Sequence, residues 1–273
     1  MKFISFGSGS SGNCYGLFTS SGEGLLIDAG IGVRTLKKHF RNYGLSLASV
    51  RHVLITHDHA DHVKCIGSLS HDYNLPVYTT QLVHEGIFDN YCVNRKIPRD
   101  LVRMIHKGET LQVGDFQVTS FCVPHDSRDC VGYSVKADDV TFCIMTDVGA
   151  VTDEMKPFIR SANYLVIEAN HDKEMLLNGP YPEHLKRRIV SGNGHLSNSA
   201  CGETLAENAT PALRHVWLCH LSEENNHPEL ARKTVESILR TVGIVPGVDF
   251  QLDVVGRKTP SEVIELLGVV NVK

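Results

Sequence analysis

Residues 53–62 of the chain read Val-Leu-Ile-Thr-His-Asp-His-Ala-Asp-His, and no other segment is as informative. Five potential metal ligands fall in the last six of these residues, directly after an apolar run. His57 and His59 are two residues apart, so in an extended segment their side chains face the same side. Asp61 and His62 then enter the next predicted helix. This spacing predicts two metal ions, one on each pair, and makes the alternative of a solvated polar turn a poor one.

The composition is that of an ordinary globular protein. The chain has 273 residues, of which 42% are hydrophobic and 21% are charged, and these values exclude a disordered or fibrous chain. Its 27 basic and 31 acidic residues give a formal net charge of −4, which argues against a broad basic surface for nucleic acid but leaves room for a local one. The count of 15 histidines is unusual, and it directs attention to clusters of metal ligands.

Cysteine usage and hydropathy predict where the protein resides. None of the eight cysteines belongs to a Cys-x-x-Cys pair, so we interpret them as small buried side chains in a reducing compartment. No apolar run reaches the roughly 18 residues that span a membrane, and the opening residues show no signal-peptide pattern. We therefore expect a cytoplasmic protein that does not enter a membrane.

Short strand-like segments alternate with helical ones along the chain. This mixture predicts sheets that are covered by helices on their outer faces. The pattern predicts one helix over Asp61–Tyr73, directly after the histidine motif. It also predicts that Gly7–Asn13 forms a tight turn between the first two strands.

The pattern His-x-His-x-Asp-His after a strand resembles the metallo-β-lactamase superfamily. The resemblance implies a single hydrolase domain over residues 1–273, folded as an αβ/βα sandwich in which helices flank two mixed β-sheets. It further implies a dinuclear metal site with three later ligands, each at the end of a strand. These are His125 on the first metal, Asp147 as a bridging carboxylate and His220 on the second metal.

Each later ligand has a plainer alternative. His125 could be an ordinary loop histidine, with Asp126 as the metal ligand instead. Asp147 could be a turn residue, and His220 could be a helix cap. Asp28 ends another apolar strand. We interpret it as a residue that orients a metal ligand, and a simple turn aspartate is the alternative.

Two further segments point to a branch of the superfamily. Glu168 ends the predicted strand Tyr164–Ile167, and His195 lies in the segment Gly192–Asn198. Both segments resemble elements that phosphodiesterase branches add, as in tRNA 3′-processing nucleases and related exonucleases. Phosphodiester cleavage builds negative charge on the phosphoryl oxygens and the leaving group, so a positioned imidazole can donate a proton there. We expect Asp61, His195 and Glu168 to be catalytic, with Glu168 fixing the tautomer of His195; otherwise Glu168 caps a helix and His195 packs in a loop.

The combination of motifs most resembles the YycJ (WalJ) subfamily, whose members are bacterial, cytoplasmic and linked to 5′→3′ exonuclease activity on DNA. The shared motifs are Gly7–Asn13, His57–His62, Glu168–Asp172, Gly194–Asn198 and His220–Asn226. The chain is too short for the inserted β-CASP domain of larger exonucleases. Phe88–Lys107 is a candidate insertion with a basic patch, or else a solvated helix face, and Lys186–Arg188 is a second basic run; either run, or His171, could contact substrate.

Several functions remain open at this point. The expected function is a nuclease that depends on two divalent ions, with DNA favoured over RNA as the partner. Histidine and aspartate ligands suit Zn²⁺ and also Mn²⁺ or Fe. The rivals are a small-molecule hydrolase on the same scaffold, such as a cyclic phosphodiesterase or a thioesterase, and a regulatory protein without catalysis. The oligomeric state is left open.

Overall fold

A computed structural model describes residues 1–268 and shows two seven-stranded β-sheets. The strands in chain order are β1 (Lys2–Gly7), β2 (Cys14–Phe18), β3 (Gly24–Ile27), β4 (Val50–Leu54), β5 (Val77–Thr79), β6 (Val102–Met104), β7 (Thr110–Val113), β8 (Phe116–Cys122), β9 (Val131–Ala137), β10 (Val140–Met145), β11 (Tyr164–Glu168), β12 (His215–Cys219), β13 (Gln251–Val254) and β14 (Ile264–Glu265). Residues 269–273 of the expected domain lie outside the described residues.

Both sheets are mixed, and each has an antiparallel and a parallel half. The first sheet has the order β14-β1-β2-β3-β4-β5-β6, with antiparallel pairs from β14 to β3 and parallel pairs from β3 to β6. The second has the order β13-β12-β11-β10-β9-β8-β7, with parallel pairs from β13 to β10 and antiparallel pairs from β10 to β7. The carboxyl ends of the parallel strands in each sheet therefore meet at one edge.

The helices described in residues 1–268 flank the sheets. They are α1 (Val33–Asn42), α2 (Ala60–Val63), α3 (Ile66–Tyr73), α4 (Gln81–Asp89), α5 (Lys156–Ser161), α6 (Lys173–Asn178), α7 (Glu183–Ile189), α8 (Asn198–Asn208) and α9 (Pro228–Thr241). Apolar residues of α1 to α4 pack on the outer face of the first sheet, and those of α5, α8 and α9 pack on the outer face of the second. None of these helices has both the length and the apolar character needed to cross a lipid bilayer.

The hydrophobic core has three layers. Side chains from both sheets meet in the middle layer, which includes Phe3, Phe142 and Trp217. Neighbouring residues of a strand point to opposite faces, so Val166 joins this layer while Leu165 and Ile167 join the outer one. Burial on both faces explains why the central strands are almost entirely apolar. The predicted αβ/βα sandwich is confirmed.

Two local predictions are wrong. Asp61–Tyr73 is not one helix, because the chain breaks between α2 and α3, where the amide of Cys65 donates to the carbonyl of Ala29. Phe88–Lys107 is not a continuous helix face. After the last two residues of α4 it runs as a loop and a short 3₁₀ turn into β6, the edge strand beside β5.

Most of the cysteines are buried, as the sequence predicts. They form no disulfide within the part of the chain that the structure describes. Five of the eight are buried, and the other three are partly exposed.

Candidate active site

The seven predicted metal ligands lie together at the carboxyl ends of strands from both sheets. Four of them follow β4 in the first sheet, and the other three follow β8, β10 and β12 in the second. They are His57, His59, Asp61, His62, His125, Asp147 and His220. The fold therefore brings residues that are up to 163 positions apart in the sequence into one cluster.

The first subcluster contains three imidazoles. One ring nitrogen from each of His57, His59 and His125 lies within 4.8 Å of the others. His59 Nδ1 and His125 Nε2 are 3.3 Å apart, and the other ring nitrogen of His125, Nδ1, lies 3.1 Å from the carbonyl oxygen of Gly194. This carbonyl can accept the Nδ1 proton, which leaves the Nε2 lone pair of His125 directed at the cluster.

The second subcluster contains Asp61, His62 and His220. Asp61 Oδ2 lies 3.6 Å from Nε2 of each of these two histidines. Asp147 lies between the two subclusters. Its carboxylate oxygens are 3.3 Å from His62 Nε2, 3.5 Å from His220 Nε2 and 3.7 Å from His125 Nε2. This is the position that the sequence predicts for a carboxylate shared by two ions.

The donor set fits divalent metal ions. Nε2 of His57 and Nε2 of His220 are buried and have no hydrogen-bond partner among residues 1–268. A buried polar atom without a partner is costly, and a metal bond to the nitrogen lone pair removes that cost. Imidazole nitrogens and carboxylate oxygens are ligands that Zn²⁺ and similar ions take.

A carboxylate beneath the cluster orients one of the predicted ligands. Asp28 is fully buried, and its Oδ2 lies 2.7 Å from Nδ1 of His62. Its Oδ1 accepts hydrogen bonds from the amide and the hydroxyl of Thr56, at 2.9 and 3.1 Å. The Thr56 hydroxyl is also 3.0 Å from Nδ1 of His57. The orienting position that we expected for Asp28 is therefore the one it occupies.

Glu168 holds two histidines with one oxygen. Its Oε1 lies 2.9 Å from Nδ1 of His195 and 3.0 Å from Nδ1 of His220. Its Oε2 accepts the backbone amides of Val148 and Leu196, at 2.7 and 3.0 Å. Glu168 thus contacts His195, as the sequence predicts, and also a predicted metal ligand, which the sequence does not predict.

Neighbouring histidines keep the carboxylates of Glu168 and Asp147 ionised. Burial alone would raise the pKa of Glu168, but His195 and His220 hold that pKa at about 2. Burial likewise opposes ionisation of Asp147, yet three neighbouring histidines lower its pKa well below the usual value. Burial lowers the pKa of His57 strongly, which favours the neutral imidazole that binds metals. For His195, burial would lower the pKa, but Glu168 and Asp147 raise it, which favours the protonated ring.

The Gly7–Asn13 turn contributes residues that sequence reasoning did not place in the site. The side chain of Asn13 donates to Asp61 Oδ2 at 3.2 Å and lies 2.8 Å from His62 Nε2. The hydroxyl of Ser8 accepts the backbone amide of His220 at 2.9 Å. In the sequence, the only signal for these two residues is that Gly7–Asn13 is one of the motifs on which the family resemblance rests.

A cleft of about 290 Å³ opens beside the cluster. His195 and His220 line the cleft together with Arg188 of the basic run Lys186–Arg188. The other two residues of that run do not line it, and Lys186 pairs with Glu183. His171 is buried next to this region, and its Nδ1 has no partner within residues 1–268. Asp126 pairs with Arg188. Of the two candidates for the third ligand, His125 lies in the three-imidazole subcluster, whereas Asp126 does not.

Known proteins resemble this chain over most of its length. A family model described as "Beta-lactamase superfamily domain" matches residues 24–220. The chain is 35% identical to Exodeoxyribonuclease YycJ of Bacillus anthracis over 263 residues, which cover 96% of this chain and 98% of that protein. It is 34% identical to Exodeoxyribonuclease WalJ of Streptococcus pneumoniae, over 92% of this chain and 93% of that protein.

Solved structures agree on the fold. The metallo-β-lactamase fold protein YhfI of Bacillus subtilis aligns with a TM-score of 0.69 and 18% identity, over 95% of this chain and 98% of that chain. Zinc-bound PqqB of Methylobacterium extorquens aligns with a TM-score of 0.70 and 16% identity, over 96% and 100%. These identities are low enough that the two structures speak to the fold alone. The family model and the two relatives assign this chain to the metallo-β-lactamase superfamily and, within it, to the YycJ/WalJ family.

Proposed function

We propose that the protein is a metal-dependent exodeoxyribonuclease that degrades DNA from the 5′ end. The observation that carries the proposal is the pair formed by Glu168 and His195, since His195 lies on the cleft beside Asp147, with its Nδ1 held by Glu168. A protonated imidazole in this place can donate to a leaving oxygen of a phosphodiester. The names of the YycJ and WalJ relatives support DNA as the substrate.

The proposal includes two divalent ions. His57, His59 and His125 would hold the first, and Asp61, His62 and His220 the second, with Asp147 shared. When bound, such ions neutralise charge on phosphoryl oxygens and activate water. Zn²⁺, Mn²⁺ and Fe remain candidates, because the ligand types suit all three.

The chain's own residues have separate tasks in this scheme. Asp28 and Asn13 keep His62 and Asp61 in place. Glu168 accepts the Nδ1 proton of His195, so Nε2 of His195 carries the proton for the leaving group. The single hydrolase domain over residues 1–273 stays a prediction, which is supported by ligands that come from both sheets. A cytoplasmic location is likewise proposed, and the free cysteines support it.

Turnover by the purified protein tests the function. The substrates are single-stranded and double-stranded DNA, RNA of matched sequence, a cyclic dinucleotide and a thioester, each with Mn²⁺ or Zn²⁺. We expect metal-dependent release of nucleotides from DNA that Asp61→Ala abolishes. Faster turnover of the cyclic dinucleotide or the thioester would favour a small-molecule hydrolase. No turnover of any substrate, with metals bound, would favour the regulatory role.

A further inference from the structure

One wall of the cleft beside the metal cluster is formed by α7 and the residues just before it. Tyr181, Leu185 and Arg188 line the cleft here, and His195 and His220 line the same cleft. Leu185 and Arg188 are three residues apart on α7, so their side chains share one face of the helix, and Tyr181 precedes the helix by two residues. The wall therefore offers an aromatic ring, an aliphatic side chain and a guanidinium toward the site of the proposed reaction.

Arg188 is anchored close to the metal cluster. Its Nε donates to Asp126 Oδ2, and Asp126 Oδ1 lies 3.4 Å from His125 Nε2. The two terminal nitrogens of Arg188 have no hydrogen-bond partner among residues 1–268, and 55% of the side chain is exposed. A guanidinium with free terminal donors matches the geometry of a phosphate, which it can bind through two hydrogen bonds.

Tyr181 offers a surface for a base. Its side chain is half-buried and lines the cleft together with Leu185. Every nucleobase has a flat face that stacks on aromatic rings, and this stacking tolerates any sequence. The cleft volume of about 290 Å³ is at the low end of ligand pockets, so it suits one nucleotide better than a duplex.

The lining of the cleft also carries negative charge. Glu223 and Glu224 belong to the lining, and Glu223 pairs with Lys258 at 3.5 Å. Carboxylates in the lining repel further phosphates of a strand that would continue through the cleft. This charge arrangement favours a strand end in the cleft over the middle of a strand.

We propose that Tyr181 and Arg188 form a subsite for the terminal nucleotide of the substrate, in which Arg188 binds the scissile phosphate and Tyr181 stacks on the terminal base. This inference rests on the proposed nuclease function and makes it more specific. It assigns α7 and the residue Tyr181 before it the task of positioning a nucleotide.

A terminal abasic nucleotide tests the stacking contact. We compare kcat/KM on DNA with a normal or an abasic 5′-terminal nucleotide for the wild type, Tyr181→Ala and Tyr181→Phe. The abasic end should lower kcat/KM about 5-fold or more in the wild type and in Tyr181→Phe, and have no effect in Tyr181→Ala. An equal penalty in all three proteins, or none in the wild type, would overturn the stacking role.

Binding without turnover separates this inference from the nuclease function. In calorimetry on metal-loaded protein, Tyr181→Ala should weaken binding of deoxyadenosine 3′-monophosphate about 5-fold or more while leaving deoxyribose 3-phosphate unaffected. Arg188→Ala should weaken both ligands, and Arg187→Ala, on the same helix but outside the cleft, should weaken neither. Metal content is measured for each variant. Unchanged affinities in Tyr181→Ala and Arg188→Ala would refute the subsite even if the protein degrades DNA, and the expected changes would support it even if DNA is not degraded.

Discussion

Buried carboxylates fix the orientation of the histidines in this site. Asp28 holds Nδ1 of His62, and Glu168 holds Nδ1 of both His195 and His220. A carboxylate that accepts the Nδ1 proton leaves Nε2 of a metal-binding histidine free, and it also makes that histidine more basic. For His195 the same contact favours the charged ring, which is the form that donates a proton. In the proposed function, one glutamate would therefore couple metal binding to proton transfer.

Replacement of His195 separates these two tasks. His195→Ala should lower kcat on DNA about 10²- to 10⁴-fold, because it removes the general acid, and should leave the metal content unchanged. Steady-state kinetics and elemental analysis of the same preparation measure both quantities.

A second histidine gives the matched control. His184 lies exposed on α7 and does not line the cleft, so His184→Ala should keep full activity. Loss of metal together with activity in His195→Ala would instead make His195 a ligand or a structural residue.

The sequence predicts the site residues that belong to a dense motif or end an apolar strand. His57, His59, Asp61 and His62 are recognisable from spacing alone, and the other ligands from the resemblance that this motif suggests. Asn13 escapes such reasoning, because its contacts with Asp61 and His62 depend on how a distant turn packs. The dual contact of Glu168 is hidden for the same reason.

Strand ends and turns position the site by unusual backbone conformations. Asp28, Asp147 and His220 each follow a strand and have positive φ values of 62°, 57° and 54°. Such a conformation costs of order 1–3 kcal/mol for a residue other than glycine, and it tends to occur at functional sites. Strand patterns predict where these strands end, but they do not predict how the chain turns there. The break between α2 and α3 is similar, since a tertiary contact with Ala29 decides it.

Gly30 packs directly against the backbone of the histidine motif. A Cβ atom at this position would lie 1.6 Å from the backbone oxygen of Asp61. Gly30→Ala should therefore displace the start of α2, lower stability by about 1–3 kcal/mol and weaken metal binding. Thermal unfolding and competition with a metal-binding dye measure the two effects.

A neighbouring glycine tests whether the effect is specific. A Cβ atom at Gly32 would meet only the Thr35 hydroxyl, at 4.0 Å, so Gly32→Ala should change little. Equal stability and equal metal affinity of Gly30→Ala and the wild type would contradict the tight packing.

The two sheets meet at the cluster of predicted metal ligands, and each supplies part of it. Ligands after β4 come from the first sheet, and ligands after β8, β10 and β12 come from the second. Bound ions would therefore join the two halves of the molecule, in addition to the apolar layer between the sheets. The layered fold itself is predictable, because alternating strands and helices with apolar central strands admit few other arrangements.

Chelation should lower the thermal stability of the protein. An ion at 100 times its dissociation constant stabilises a fold by about 2.7 kcal/mol, so its removal should lower Tm by about 5–10 °C. Calorimetry with and without a chelator measures the shift. The His59→Ala variant lacks one predicted ligand, so the chelator should lower its Tm by less. An identical Tm of the wild type with and without the chelator would argue against a metal that joins the sheets.

The fate of a 5′ label on DNA tests the proposed activity most directly. The metal-loaded protein is mixed with 5′-labelled linear single strands and with a circular single strand, and products are resolved at early times. We predict that the label appears first in mononucleotides and that the circle stays intact, because the cleft accepts a strand end. Internal fragments that carry the label, a linearised circle, or intact DNA in the presence of bound metal would contradict the account.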